Sequence, residues 1–174
     1  MSSESPLLAF ADGLLASGAG EQKQSPGALR QFVGFVLRDE EFAIPILNCR
    51  EILRATTITR IPEAPAAVRG VVNLRGRIVP AVDVRTCLGF EQSPMTGKSR
   101  LIVVEIAGRF FALVVDRVNR IVKLSSTQIA PPGDAPRFAC LVGIANVGET
   151  PILVLDAERL LLVTPDMTPT ARKE

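Results

Sequence analysis

Asp83 and Asp116 each close an apolar strand run, and two carboxylates held side by side can divide acid and base work between them. Each also fits a plainer role, since a carboxylate at a strand end commonly accepts backbone N–H bonds in a turn. The chain has no His, which removes the commonest general base near neutral pH and the commonest metal ligand. Cys49, Cys87 and Cys140 lie 38 and 53 residues apart. That is not the spacing of a zinc site, and an odd count makes no disulfide framework, so they read as buried thiols. There is no Walker loop, no Gly-x-Gly-x-x-Gly and no nucleophile elbow. The expectation is therefore a protein that is not an enzyme and that carries no metal and no cofactor.

The chemistry that remains is that of arginine. The stretch VRGVVNLRGRIVPAVDVR, Val68 to Arg85, sets Arg69, Arg75 and Arg77 among Val71, Val72, Ile78, Val79 and Val82. Residues 50–85 hold seven Arg against Glu51, Glu63 and Asp83, a local charge of +4, whereas residues 1–49 carry −3. Guanidinium groups suit bidentate pairing with carboxylates and flat contact surfaces. Nucleic acid is the rival target, but single-strand binding by a small barrel combines a basic groove with exposed aromatic platforms. The aromatic residues here are eight Phe, with no Trp or Tyr. Phe32, Phe35, Phe42, Phe110 and Phe111 fall in strand runs where burial is the default. The pattern points to protein partners rather than nucleic acid.

Strands must position these residues. QFVGFVLRDEEFAIPI reads as a hairpin turning over Arg38 to Glu41, and LNCREILRAT as a strand or short helix. TRIPEAPAAVRG is a loop punctuated by Pro. RGVVNLRGRIVPAVDV is two strands about a turn at Arg75-Gly76, and RLIVVEIAGRFFALVVDRV a hairpin turning at Ala107-Gly108. PILVLDAERLLLV is a strand running into a short helix. Gly70 and Gly76 are assigned to backbone turns.

One half of the chain overlays the other. Glu41 to Leu53 matches Phe110 to Val122 at an offset of 69, so that Phe42 meets Phe111 and Ile52 meets Ile121. Gly70 to Leu74 matches Gly143 to Val147 at an offset of 73, where Asp83 also meets Asp156. This order describes two tandem copies of one small all-β unit, each too small to be stable alone, so the copies should share an interface. Closed barrels are favoured over a sandwich because closure removes exposed edges.

Residues 1–29 are rich in Gly, Ser, Ala and Pro and read as a flexible tail. Leu7, Phe10, Leu14 and Leu15 would share one face if that segment were a docking helix, which Gly13 weakens. The tail has no basic region ahead of an apolar run, so it does not read as a signal peptide, and no stretch is long and apolar enough for a membrane span. A cytoplasmic location is expected. Residues 165–174 form a C-terminal tail.

IPEAPAAVRGVVNLRGRIVPAVDVR, Ile61 to Arg85, resembles the signature of the CheW family, the adaptor domain of bacterial chemosensory arrays. FAIPILNCREIL, with its acidic Glu51, resembles the same family, and the likeness spans about Gln31 to Val163. The resemblance implies two SH3-like five-stranded β-barrels with a hydrophobic groove between them, within residues 30–164. The subdomains would cover roughly 40–98 and 99–164 with some strand exchange at the ends. It further implies a non-enzymatic adaptor that couples methyl-accepting chemoreceptors to the histidine kinase CheA. Such a protein binds the receptor's cytoplasmic hairpin tip and the kinase's regulatory domain, at membrane-associated arrays. A related adaptor in a non-flagellar pathway, serving pili or a second messenger, is the alternative. Carried over residue by residue, Glu51 and Arg75 match an acid–arginine pair beside the receptor groove. Cys49 matches an aliphatic groove position, and Asn73 and Arg69 match positions around the Arg-Gly turns. The face toward the kinase is left unassigned.

Overall fold

The computed structural model describes residues 28–162. The proposed tail helix around Leu7 and the C-terminal tail lie outside the described residues. Eleven strands and two short helices follow one another: β1 (Leu29–Leu37), β2 (Glu40–Pro45), β3 (Cys49–Arg54), β4 (Val68–Leu74), β5 (Arg77–Asp83), α1 (Val84–Cys87), β6 (Arg100–Ile106), β7 (Arg109–Val115), β8 (Arg117–Ser125), β9 (Ile129–Ala130), β10 (Leu141–Val147), β11 (Thr150–Leu155) and α2 (Ala157–Leu162). LNCREILRAT resolves into both of its readings, a 3-10 turn at Ile46–Asn48 and then strand β3.

Four hairpins turn through two-residue loops: Arg38-Asp39, Arg75-Gly76, Ala107-Gly108 and Gly148-Glu149. The first is tighter than the sequence suggested, because Glu40 and Glu41 already pair with Leu37 and Val36. At Arg75-Gly76 both φ angles are positive, 54° and 83°, as a type I′ loop requires.

The strands form two antiparallel-rich sheets, ordered β8-β1-β2-β11-β10-β9 and β3-β6-β7-β5-β4. Substituting each strand of the first half by its repeat partner in the second converts one order into the other. The hairpin β1–β2 thus sits in the sheet of the second half, and β6–β7 sits in the sheet of the first. Each exchanged hairpin joins its host through a parallel pairing, β2 with β11 and β7 with β5.

Both sheets close by the same device. The chain leaving β3 at one edge returns to bond β4 at the other, with Thr59 and Val71 exchanging two backbone bonds of 2.8 Å. The chain leaving β8 returns as β9 along β10. The second barrel therefore gains a short sixth strand where five were expected. Gly70 lies within β4, not in a turn, which corrects its assignment. Its φ is +150°, and a Cβ there would stand 2.1 Å from the Thr59 carbonyl oxygen, so only glycine lets the closing segment approach. Gly143 does the same in β10 against Ile129 and Ala130.

Side chains alternate between faces, and three clusters result. Phe32, Ala43, Val122, Leu124, Ala145, Ile152 and Val154 fill one barrel. Val72, Val79, Ala81, Leu101, Ala112 and Val114 fill the other. The opposite faces of the same strands meet between the barrels in the largest cluster, which includes Phe35, Phe42, Ile44, Cys49, Ile102, Leu113, Phe138 and Leu155. The exchanged hairpins bury both faces, which explains their nearly unbroken apolar sequences.

Candidate functional site

The hairpin β4–β5 presents the arginine turn. Asn73 Oδ1 accepts the Gly76 N–H at 2.8 Å and holds the loop in shape. From that loop Arg75 Nη2 donates to Glu51 Oε1 at 2.8 Å. β3 and β4 are opposite edges of their sheet, so this pair spans the seam that barrel closure creates. A bulge between Cys49 and Glu51 puts Glu51 opposite Val103 and within reach of the turn. The Arg75 side chain is 70 % exposed and that of Glu51 20 %, so the guanidinium faces solvent while its partner is half-sheltered. An exposed pair of this kind contributes about 0–1 kcal/mol to stability and serves better to orient the arginine.

Glu51, Arg75 and Asn73 therefore come together, and Cys49 and Arg69 stand elsewhere. Cys49 is fully buried among the residues between the barrels, opposite Val104. Burial pushes its thiol up to about 12, and its Sγ donates a weak bond to the Glu51 carbonyl. Cys87 and Cys140 are likewise buried, and desolvation raises them to about 12 and about 11. None is a poised nucleophile. Arg69 turns away to the far end of β4, where Nε donates to Asp83 Oδ2 at 2.5 Å and Nη2 to the Ser93 carbonyl.

Asp83 and Asp116 do not form a bare carboxylate pair. Asp83 also caps α1, its Oδ1 accepting the Thr86 N–H at 3.1 Å. Asp116 is gripped by Arg85 through two bonds of 2.8 and 2.5 Å and accepts the Arg38 N–H at 2.8 Å. Burial alone would raise its carboxyl. The Arg85 and Arg38 bonds and the Arg85 charge outweigh that and hold it below its ordinary value. Each acid anchors backbone and arginine rather than awaiting a substrate. A concavity of about 480 Å³ opens between the Pro-rich loop and Gln92 and Met95, and its one bordering carboxylate is Glu63. No group of three or more His, Cys, Asp or Glu able to hold a metal occurs among the described residues.

An apolar face accompanies the arginine turn, and sequence reasoning missed it. Val71 and Pro80 pair across β4–β5, as do Asn73 and Ile78, and they point away from the barrel interior. Ile78 is 61 % exposed. The parallel register of Ala81 with Ala112 sets Pro80 beside Phe111 of β7, and Phe111 pairs in turn with Val104. Phe110 and Phe111 were both expected in the core with Phe32, Phe35 and Phe42, and both are only partly buried. Phe110 lies against the first barrel's cluster under the Arg77 guanidinium, and Phe111 stands at the margin of the cluster between the barrels, together with Ile106. The available signal was the repeat itself, since Phe111 and Phe42 are matched in sequence but flanked by different loops.

Two closed barrels with a shared core, an oriented surface arginine and an open apolar face define a binding module. A CheW-like domain model matches residues 31–163, and the chain belongs to that family. It is 31 % identical over 147 residues to the chemotaxis protein CheW of Helicobacter pylori, covering 83 % of this chain and 89 % of that one. It is 35 % identical over 138 residues to the chemotaxis protein CheW of Klebsiella aerogenes, covering 76 % and 81 %. The crystal structure of the scaffolding protein TtCheW from Thermoanaerobacter tengcongensis superposes with a TM-score of 0.72 at 29 % identity, covering 77 % of this chain and 93 % of that one.

Proposed function

We propose that this protein is a non-enzymatic adaptor that couples methyl-accepting chemoreceptors to a CheA-type histidine kinase at membrane-associated arrays. The observation that carries the proposal is the apolar surface formed by exposed Ile78 with partly buried Val71, Pro80 and Phe111, next to the Glu51–Arg75 pair. A receptor's helical hairpin tip would present apolar ridges and carboxylates to this face. The face would take the ridges and Arg75 a carboxylate, with Glu51 holding the guanidinium in place. Family membership supports the same reading. The rigid core between the barrels suits an adaptor that must hold two partners in fixed geometry. Among the described residues no helix is long and apolar enough to cross a membrane, so the attachment to an array would come through partners.

The test is a titration of wild type, Arg75→Glu and Ile78→Asp against a receptor cytoplasmic fragment and against the kinase regulatory domain. Both variants should melt like wild type, because both side chains are exposed. Each should weaken receptor binding about tenfold or more while leaving kinase binding in place. Unchanged receptor binding in both variants would remove this surface from the proposal. Absence of kinase binding by the wild type would remove the coupling role.

A further inference from the structure

Phe42 and Phe111 occupy matched places in the two halves, but only one is covered. Phe42 is fully buried, with the rings of Phe90 and Phe138 centred 6.5 and 6.1 Å from its own at 61° and 57°. Arg137, the residue before Phe138, places its guanidinium on both carboxylate oxygens of Glu40. Glu40 lies two residues before Phe42 on the same face of β2. One part of that cover is therefore an Arg-Phe pair, which sets ring against ring and cation against anion.

The first half lacks this cover. Its loop runs in register with that of the second half, since the Ala67 carbonyl accepts the Asp83 N–H at 2.6 Å and the Cys140 carbonyl accepts the Asp156 N–H at 2.9 Å. In that register Pro65 stands where the second half has Phe138. No aromatic ring contacts Phe111 among the described residues. The residue matching Glu40 is Arg109, which is exposed and has no carboxylate within ion-pair distance among the described residues. The aromatic half of the contact is kept and the charge is reversed.

We infer that the face around Phe111 takes a partner segment in which an Asp or Glu adjoins an aromatic residue. The partner's ring packs on Phe111, beside Ile78 and Ile106, and its carboxylate meets Arg109. This rests on the reading of that face as a protein-binding surface and specifies the segment that fits it. Offset or edge-to-face rings and a charge-assisted bond to arginine are both directional, so together they select a sequence rather than mere hydrophobicity.

A random heptapeptide display library selected on the full-length protein, on Arg109→Glu and on Ile78→Asp tests it. Wild type should enrich peptides in which an acidic residue neighbours Phe, Tyr or Trp. Arg109→Glu should lower their recovery about tenfold and enrich peptides with Lys or Arg beside the aromatic residue. Ile78→Asp should abolish both sets. Enriched peptides without the acidic–aromatic pair, recovery indifferent to Arg109→Glu, or no enrichment at all would each overturn the inference. If such recovery still falls with Ile78→Asp, the face remains a protein-binding surface and only the charge-reversed segment is lost. The receptor titration above decides the coupling role separately.

Discussion

Among the described residues six arginines lie within ion-pair distance of a carboxylate, and they do different work. The Arg69–Asp83 pair is largely buried, with side chains 16 % and 2 % exposed, so losing one partner would strand the other at a cost of about 3–5 kcal/mol. Arg75, on the same strand's turn, contributes little to stability and remains free to meet a partner. Two arginines six residues apart thus have opposite duties, one structural and one at the surface, and burial separates them. Glu41 is the other sheltered acid. Burial would raise its carboxyl, but bonds from Arg120 and Asn119 and the charges of Arg120 and Arg117 hold it below its ordinary value of 4.5. Asp116 is likewise held below 3.8. A carboxyl lowered in the folded state stabilises fully above its unfolded value, and that stability is lost as pH falls through the lowered one. Glu41→Gln and Asp116→Asn should therefore be less stable than wild type at neutral pH. The gap should close as pH drops below 4.5 and 3.8 respectively, followed by circular dichroism during urea unfolding. A gap that stayed constant into acid would show that neither pair contributes through its charge.

At the scale of elements, the repeated glycines set the barrels. Gly70 and Gly143 sit where the closing segment crosses the strand, and a methyl group would collide with backbone at 2.1 Å in one and 2.6 Å in the other. Gly76 and Gly148 meet nothing within 4 Å and serve only the positive φ of their loops. Gly70→Ala should open the Thr59–Val71 seam, speeding amide hydrogen exchange at both residues, and lower stability by more than the about 1 kcal/mol of an ordinary Gly change. Gly143→Ala should do the same at β9. Unchanged exchange at Val71 would mean that the closing segment yields without cost. The seam also carries Glu51 to Arg75, so the candidate site depends on closure rather than on β4 and β5 alone.

At the scale of the molecule, exchange of hairpins makes the halves inseparable. Each sheet holds two strands from the other half, and the largest apolar cluster lies between the barrels. A chain nicked in the exposed linker after Lys98 should therefore stay one particle on size exclusion and melt in a single transition. Two fragments eluting apart in native buffer would contradict the exchange. A frame of this kind keeps surface features on the two barrels at fixed separation, which is what an adaptor between two partners needs.

Much of this fold could be read locally. Strand periodicity, the Arg75-Gly76 and Ala107-Gly108 turns and the N–H-accepting Asp83 follow from residue types within a few positions of one another, because β propensity and turn chemistry act over short range. The repeat offsets of 69 and 73 were likewise legible, and so was the family resemblance. Which hairpin enters which sheet was not, since both exchanged hairpins are apolar on both faces and fit either barrel by pattern alone. The same ambiguity hid Phe111. Its sequence neighbours match those of a core strand, and they do not show that the loop bringing Phe138 onto Phe42 carries Pro65 at the equivalent place in the first half. The amino-acid sequence by itself determined the strands, their turns, the duplication and the arginine-rich character. The tertiary structure alone decided which arginines are buried, where the barrels close and which apolar face is left open, because each of those depends on contacts between segments far apart in the chain.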